Sequence, residues 1–260
     1  MKTIIAEFRE CVTRRDVWLL LSLYDIRARY KRTVIGPFWL TLGTAITVLG
    51  MGVVWSSIFG MNITEFLPYV AVGMVIWTYL SSVLNEGCAA FSSQAGIIHN
   101  VKMSYFVYIM TLIFRNLVIL LHNCFVIVAV FVLCGQTINL EVLWIIPGLI
   151  LMILHSFWVC MIMGIVAARY RDIASIVGSI TVLIMLVTPI MWKIDMLKGN
   201  RQLIALVNPF AHMINIIRDP LLGSPPSLES YIILTGLLFV GFSIACDLYR
   251  RCANFVVYWM

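Results

Sequence analysis

Charge is absent from most of this chain. Between Arg32 and Lys102 the only Asp, Glu, Lys or Arg residues are Glu65 and Glu86, and between Arg115 and Arg169 the only one is Glu141. A hydrocarbon layer about 30 Å thick needs roughly 20 apolar helical residues to cross it, and only a bilayer gives such stretches a favourable solvent. Of the 260 residues 62% are hydrophobic and 12% charged, with a mean hydropathy of +1.00. A water-soluble domain cannot cover that much apolar surface, so a soluble enzyme is excluded. Phosphate-binding loops are missing as well. No G-x-x-x-x-G-K-[ST] and no G-x-G-x-x-G occur, so no recognised ATP loop, cofactor site or catalytic residue is expected here, and any chemical energy must come from elsewhere. The seven cysteines form no C-x-x-C and read as small apolar side chains rather than metal or redox ligands. No carboxylate falls deep inside a predicted span, which argues against an ion-coupled secondary transporter.

What remains is an all-α membrane protein with six predicted spans, read as one domain from 37 to 260 behind an amphipathic arm, 1 to 36. The spans are Phe38–Phe59, Phe66–Leu84, Tyr105–Cys134, Leu140–Ala168, Ile173–Trp192 and Tyr231–Leu248. The arm is basic and partly amphipathic and does not resemble a cleavable signal peptide. Thirteen of the eighteen basic residues fall in the arm, beside Lys102, at Arg169 and Arg171, and in the tail at Arg250 and Arg251. By the positive-inside rule this is the cytoplasmic side and holds both termini. The loop from Lys193 to Ser230 faces outward despite Lys193, Lys198, Arg201 and Arg218, as a folded outer element can. The net charge of +6 is split among short loops, which suits anionic lipid headgroups better than nucleic acid.

Four segments carry candidate roles. In the arm, Val17, Leu20, Leu21, Tyr24 and Ala28 recur at helical spacing opposite a basic face. Such a helix lies in the interface plane, either as an orientation anchor or as a lever for a cytoplasmic partner. Residues 85–104 are too polar to span and too long for a tight turn. They form either a plain connector or a short helix that receives force from a soluble motor. In the outer loop, 193–227, Asn208 caps a helix starting at Pro209, and Pro189 interrupts the fifth span. Helices dipping into the outer leaflet satisfy their backbone internally and suit an outer gate; a surface-lying helix is the simpler alternative. Arg115, about ten residues into the third span, needs a partner, water or a snorkelling route. The abundant aromatics belong mostly to interfacial belts, with a minority free to line a passage and stack on sugar faces.

The segment R-D-V-W-L-L-L-S-L-Y-D-I-R-A-R-Y-K-R-T-V-I-G-P-F-W (Arg15 to Trp39) resembles the start of the ABC-2 type permeases that export polysaccharides. A-R-Y-R-D-I (Ala168 to Ile173), T-P-I-M-W (Thr188 to Trp192), L-V-N-P-F (Leu206 to Phe210) and the tail F-V-V-Y-W-M follow in the same order. The resemblance is to the O-antigen and capsule exporters of Gram-negative bacteria, with one departure: Lys102 alone, and no proline, precedes the third span. It implies an inner-membrane homodimer that moves lipid-linked polysaccharide, paired with two copies of a separate subunit that binds ATP and Mg. The coupling helix is then expected at Phe91, Gln94, Ile97, Ile98 and His99. The outer gate is expected at Thr188, Pro189, Asn208, Pro209 and Phe210. From charge placement, Tyr24, Arg27, Arg29, Tyr30 and Lys31 are candidates to meet the lipid diphosphate, and Trp39, Trp55, Phe59 and Tyr69 to line the channel. Exporters of drugs or small lipids, and an ATP-independent scramblase or channel, are the alternatives.

Overall fold

The computed structural model describes residues 4–31, 36, 38–196 and 199–260, without the side chains of Tyr30, Asn200 and Arg201. Helices account for nearly all of it. The arm comprises α1 (Ile4–Thr13) and α2 (Arg15–Tyr30). Then come α3 (Phe38–Phe59), α4 (Ile63–Cys88), the short α5 (Ala95–Asn100) and α6 (Tyr105–Cys134). The second half holds α7 (Ile145–Arg169), α8 (Asp172–Val187), α9 (Leu203–Leu206), α10 (Pro209–Leu221), α11 (Leu228–Cys252) and α12 (Val256–Trp259).

Among the described residues five helices are long and apolar enough to cross a bilayer: α3, α4, α6, α7 with its leading turn from Leu140, and α11. The fifth predicted span does not run to Trp192. It is α8, 16 residues long and ended before Pro189, about 24 Å of rise. The second span runs to Cys88 and so takes in Asn85 and Glu86, which sequence patterning places in a loop. Its apolar signal fades at Leu84, but the backbone continues helically because Glu86 finds charged partners on neighbouring helices.

Local chemistry sets the ends. The Asn62 side chain accepts from Thr64 N at 3.1 Å and caps α4. Pro68, one turn further, has no N–H for the Thr64 carbonyl; Gln136 Nε2, just past α6, donates to that oxygen at 3.3 Å instead. Ser104 caps α6, and Gly135, at φ +68°, ends it in the left-handed conformation, where a side chain would be strained.

The spanning helices surround α4. Of its apolar window 72% is buried, against 22% for α3 and 17% for α11. On α3 and α8 many Leu, Ile and Val side chains are uncovered, among them Ile46, Leu49, Val53 and Ile58, then Ile180, Leu183 and Leu186. Both helices therefore belong against lipid or another apolar surface. Helices α7 and α11 meet at Gly241, where an added Cβ would lie 2.4 to 2.8 Å from the Trp158 ring. That ring is fixed because Trp158 Nε1 donates to His155 Nδ1 at 3.1 Å, leaving His155 Nε2–H to donate to Leu234 O at 3.0 Å. Replacing Gly241 with Val should force the two helices apart and cost about 1–3 kcal/mol. A lowered melting temperature of the solubilised protein checks this, and an unchanged one contradicts it.

Candidate functional site

Three linked features run from the arm side of the bundle to the far side. The first is a charge cluster that fastens the arm. Helix α2 lies along the first three turns of α6: Ser22 Oγ donates to Thr111 O at 3.0 Å, and the Trp18 and Phe114 rings meet edge-on at 5.5 Å. At the end of this seam Arg115 enters between two carboxylates. Nη1 reaches Asp25 Oδ2 at 2.9 Å and Nη2 reaches Glu86 Oε2 at 2.8 Å. Arg29 binds the other Glu86 oxygen at 2.9 Å, Asn116 Nδ2 donates to Glu86 Oε2 at 2.9 Å, and Gln94 Nε2 to Asp25 Oδ2 at 3.4 Å. Two cations and two anions from α2, α4 and α6 thus neutralise one another. Arg115 does not snorkel. Its side chain is only 13% exposed, and the paired charges lower the cost of its depth.

The same cluster changes the reading of the diphosphate candidates. Arg29 is committed to Glu86. Tyr24, Arg27 and Lys31 are exposed; the Tyr30 side chain lies outside the described residues. Tyr24 and Arg27 share the outer face of α2 with Leu20 and Leu23 in a shallow depression.

The second feature follows Glu86 directly. After α4 the chain makes a turn of 3-10 helix, Ser92–Gln94, and then α5. Phe91 is buried against Gly164 of α7 and meets the Tyr105 ring at 5.2 Å. Ile98 is buried and Ile97 half-buried. These apolar residues point into the bundle and seat the hairpin. The outward face consists of Ser92, Ser93, Gly96, His99 and Asn100. Gln94 faces sideways, onto Asp25 of the arm. The hairpin is therefore tied to α2, not merely adjacent to it.

The third feature is a polar knot where α8 breaks. Thr188 and Pro189 end α8 with carbonyls that have no helical partner. Arg218 Nη1 donates to Pro189 O at 2.7 Å, its Nη2 donates to Asn215 Oδ1, and its guanidinium lies 3.8 Å from the Tyr69 ring centroid. The Tyr69 hydroxyl is 3.1 Å from both Pro189 O and Trp192 O. Asn208 has two tasks. Its Oδ1 accepts from Phe210 N at 3.0 Å and starts α10 ahead of Pro209, while its Nδ2 donates to Thr188 Oγ1 at 2.8 Å. Phe210 meets Trp77 of α4 edge-on at 5.9 Å. All five gate candidates fall in or beside this knot, with α10 buried through Ile214, Ile216 and Ile217.

The four channel candidates separate. Trp39 stands alone and 61% exposed at the arm end of α3. Trp55 stacks on Phe59 at 5.2 Å, Phe59 meets Phe66 at 6.5 Å, and Phe66 stacks on Tyr69 at 6.3 Å. This ladder ends on Arg218. Tyr69 is a buried part of the knot.

Sequence reading did not single out Asp25, Glu86, Asn116 or Arg218 as site residues. The available signal was Arg115 itself: a charge that deep requires opposite charge, and Glu86 is the nearest arm-side acid in the chain, although Asp172 is nearer in sequence than the Asp25 that the fold selects.

The ABC-2 type transporter family matches this chain over residues 17–222. A protein of Klebsiella pneumoniae described as an O-antigen export system permease protein RfbA is 23% identical over 244 residues. That alignment covers 92% of this chain and 94% of the relative. A protein of Myxococcus xanthus with the same description is 19% identical over 207 residues, covering 79% of this chain and 80% of its own length.

Two substitutions probe the site. Arg115→Ala leaves Asp25 and Glu86 facing each other, and should cost about 2 kcal/mol, less than the 3–5 of a fully buried pair because the rim is solvated. A double-mutant cycle with Glu86→Ala should then show coupling of about 1–3 kcal/mol; strict additivity in the melting data would refute the clamp. At the knot, Arg218→Lys should be nearly as damaging as Arg218→Met, because an ammonium lacks the planar fork that serves Pro189, Asn215 and Tyr69 together. Full thermal stability of Arg218→Lys would contradict this.

Proposed function

The chain belongs to the ABC-2 type transporter family, and on that premise we propose that it is the permease subunit of an ATP-driven exporter of lipid-linked polysaccharide of the O-antigen or capsule kind. The observation that carries the mechanism is the continuous route of contacts from hairpin to arm. Glu86 ends α4, Arg115 joins it to Asp25, and Gln94 of the hairpin reaches the same Asp25. A push on the hairpin is delivered to α2 and to the start of α6 together, because packed ionic contacts transmit displacement rather than absorb it. The push comes from a partner subunit that binds and hydrolyses ATP with Mg. Ser92, Ser93, Gly96 and His99 face that partner. Phe91 and Ile98 keep the hairpin seated while it is worked.

The arm side is the cytoplasm and holds both termini, as the distribution of Lys and Arg supports. Helix α8 makes the sixth crossing, lengthened by the 188–192 segment. The short turns Ile194–Met196 and Gly199–Gln202, with α9 and α10, dip back from the outer face as the gate. The hydrogen bond of Asn208 to Thr188 joins gate and span, so α8 and α10 move as one. Two copies form the transporter. The open apolar faces of α3 and α8 supply the surfaces that a second copy covers, and the Trp55–Phe59 pair then faces the path of the polymer. Tyr24, Arg27 and Lys31 remain for the lipid diphosphate, while Arg29 serves it only when released from Glu86.

Deletion of the gene should remove the surface polysaccharide and trap lipid-linked polymer inside the cell. Unchanged surface glycan would defeat the proposal. For the coupling role, Ser93→Cys should crosslink to a cysteine on the ATP-binding subunit, whereas Leu133→Cys at the far end of α6 should not. Equal yields would place the hairpin away from the motor.

A further inference from the structure

Helix α1 raises a question that transport does not answer. Its apolar residues Ile4, Ile5, Phe8, Cys11 and Val12 fall on one side of the helix, yet Cys11 alone is buried. Ile5 is 80% exposed, Phe8 58% and Val12 57%. The helix is held near Cys11, whose carbonyl accepts from Trp18 Nε1 at 3.1 Å. Burial, reinforced by the Glu10 carboxylate, pushes the Cys11 thiol up to about 11, so it stays neutral and serves as a small hydrophobe.

Beneath the uncovered face lies a crevice of about 490 Å³, and α1 forms one of its walls. The other walls are ridges spaced four residues apart: Phe106 and Met110 on α6, Ile153 and Phe157 on α7, Phe242 and Cys246 on α11. Residues four apart stack along a helix, so the three ridges make a slot parallel to the helix axes. From Ile153 to Met161 the α7 wall rises about 12 Å, close to one leaflet of a hydrocarbon core about 30 Å thick. The surface of the slot is wholly apolar, so water finds no partner in it. Phe106 is the second residue of α6, and the slot therefore opens toward the interface on the arm side.

Basic residues lie one turn from lining residues on two of the walls. Arg9 is exposed and follows Ile5 by four residues, about 40° past a full turn, at the edge of the apolar face. Arg250 is exposed and lies one turn beyond Cys246 on α11. Basic side chains above an apolar slot suit an anionic headgroup with its chain below.

We propose that this slot binds one acyl chain of an anionic bilayer phospholipid, whose phosphate sits between Arg9 and Arg250, and that this lipid fastens α1 to the bundle. The site is formed by α1, Trp18 of α2, α6, α7 and α11, away from α3 and α8, and its occupancy does not depend on the cargo.

The test uses the full chain in phosphatidylcholine vesicles that contain phosphatidylglycerol with a photoreactive group on its acyl chain. After irradiation, peptide mass spectrometry should find the label on residues 4–12 and 242–246 in excess over the lipid-facing stretch of α3 around Leu49. Cys246→Trp fills the slot and should lower that labelling about tenfold, the cost of excluding about two methylenes. The surface double variant Arg9→Glu, Arg250→Glu should remove the preference for phosphatidylglycerol over a phosphatidylcholine probe while leaving the melting temperature unchanged. Equal labelling of slot and α3 overturns the proposal. So does undiminished labelling of Cys246→Trp, or a preference that survives charge reversal. Displacement by a polyprenyl diphosphate ahead of phosphatidylglycerol also overturns it, and would assign the slot to the cargo's lipid anchor.

Discussion

Everything on the arm side of this protein depends on where the Arg115 charge goes. A guanidinium ten residues into an otherwise apolar helix is tolerable only with opposite charge around it. Asp25 and Glu86 supply that charge, and each brings its own element. The arm is thereby attached to the bundle by an electrostatic requirement of α6 as well as by its apolar seam at Trp18 and Phe114. The hairpin after α4 begins three residues beyond Glu86, at Ala89, so its position follows from the same requirement. Any displacement of α4, α2 or α6 relative to the others must separate charges in a partly dehydrated site, where water screens them poorly.

The far side repeats the logic with a different shortage. There the break at Pro189 leaves carbonyl groups without donors, and Arg218 carries donors into a buried site without a bulk counter-ion. Each defect satisfies the other. The Tyr69 ring adds its negative face to the cation at 3.8 Å, an attraction that strengthens when the pair is desolvated. The result is a bonded joint between α8, α10 and α4. Between the two polar sites the helices are held by close approaches at glycine and by buried bonds such as that of the Tyr79 hydroxyl to Ser156 Oγ at 2.9 Å.

Much of the architecture was legible before any coordinates. The ends of α3 and α6 coincide with the predicted spans because loss of charge and a terminal cap occur within a few residues of each other. The Asn208 cap and Pro209 were legible for the same reason: a helix start is written in three or four adjacent residues. The extension of α4 through Glu86 was not. Hydropathy falls there, and only partners on other helices make a charged residue acceptable in that turn. The coupling candidates show the same limit. Phe91 and Ile98 were recognised as apolar residues of a short helix, but which side of that helix faces the bundle depends on Gly164 of α7, far along the chain.

Membrane residence, the order of helices, the basic bias of one side and the absence of an ATP loop are properties of runs of neighbouring residues, and the sequence alone determined them. Tertiary structure decided which acids hold Arg115, which carbonyl holds Arg218, that Arg29 is occupied and Arg27 exposed, and that α1 covers an apolar slot it does not fill. Those outcomes join residues as far apart as Asp25 and Arg115, separated by ninety positions. Charge and hydrogen-bond pairing depends on distance in space, and one sequence records distance only along the chain.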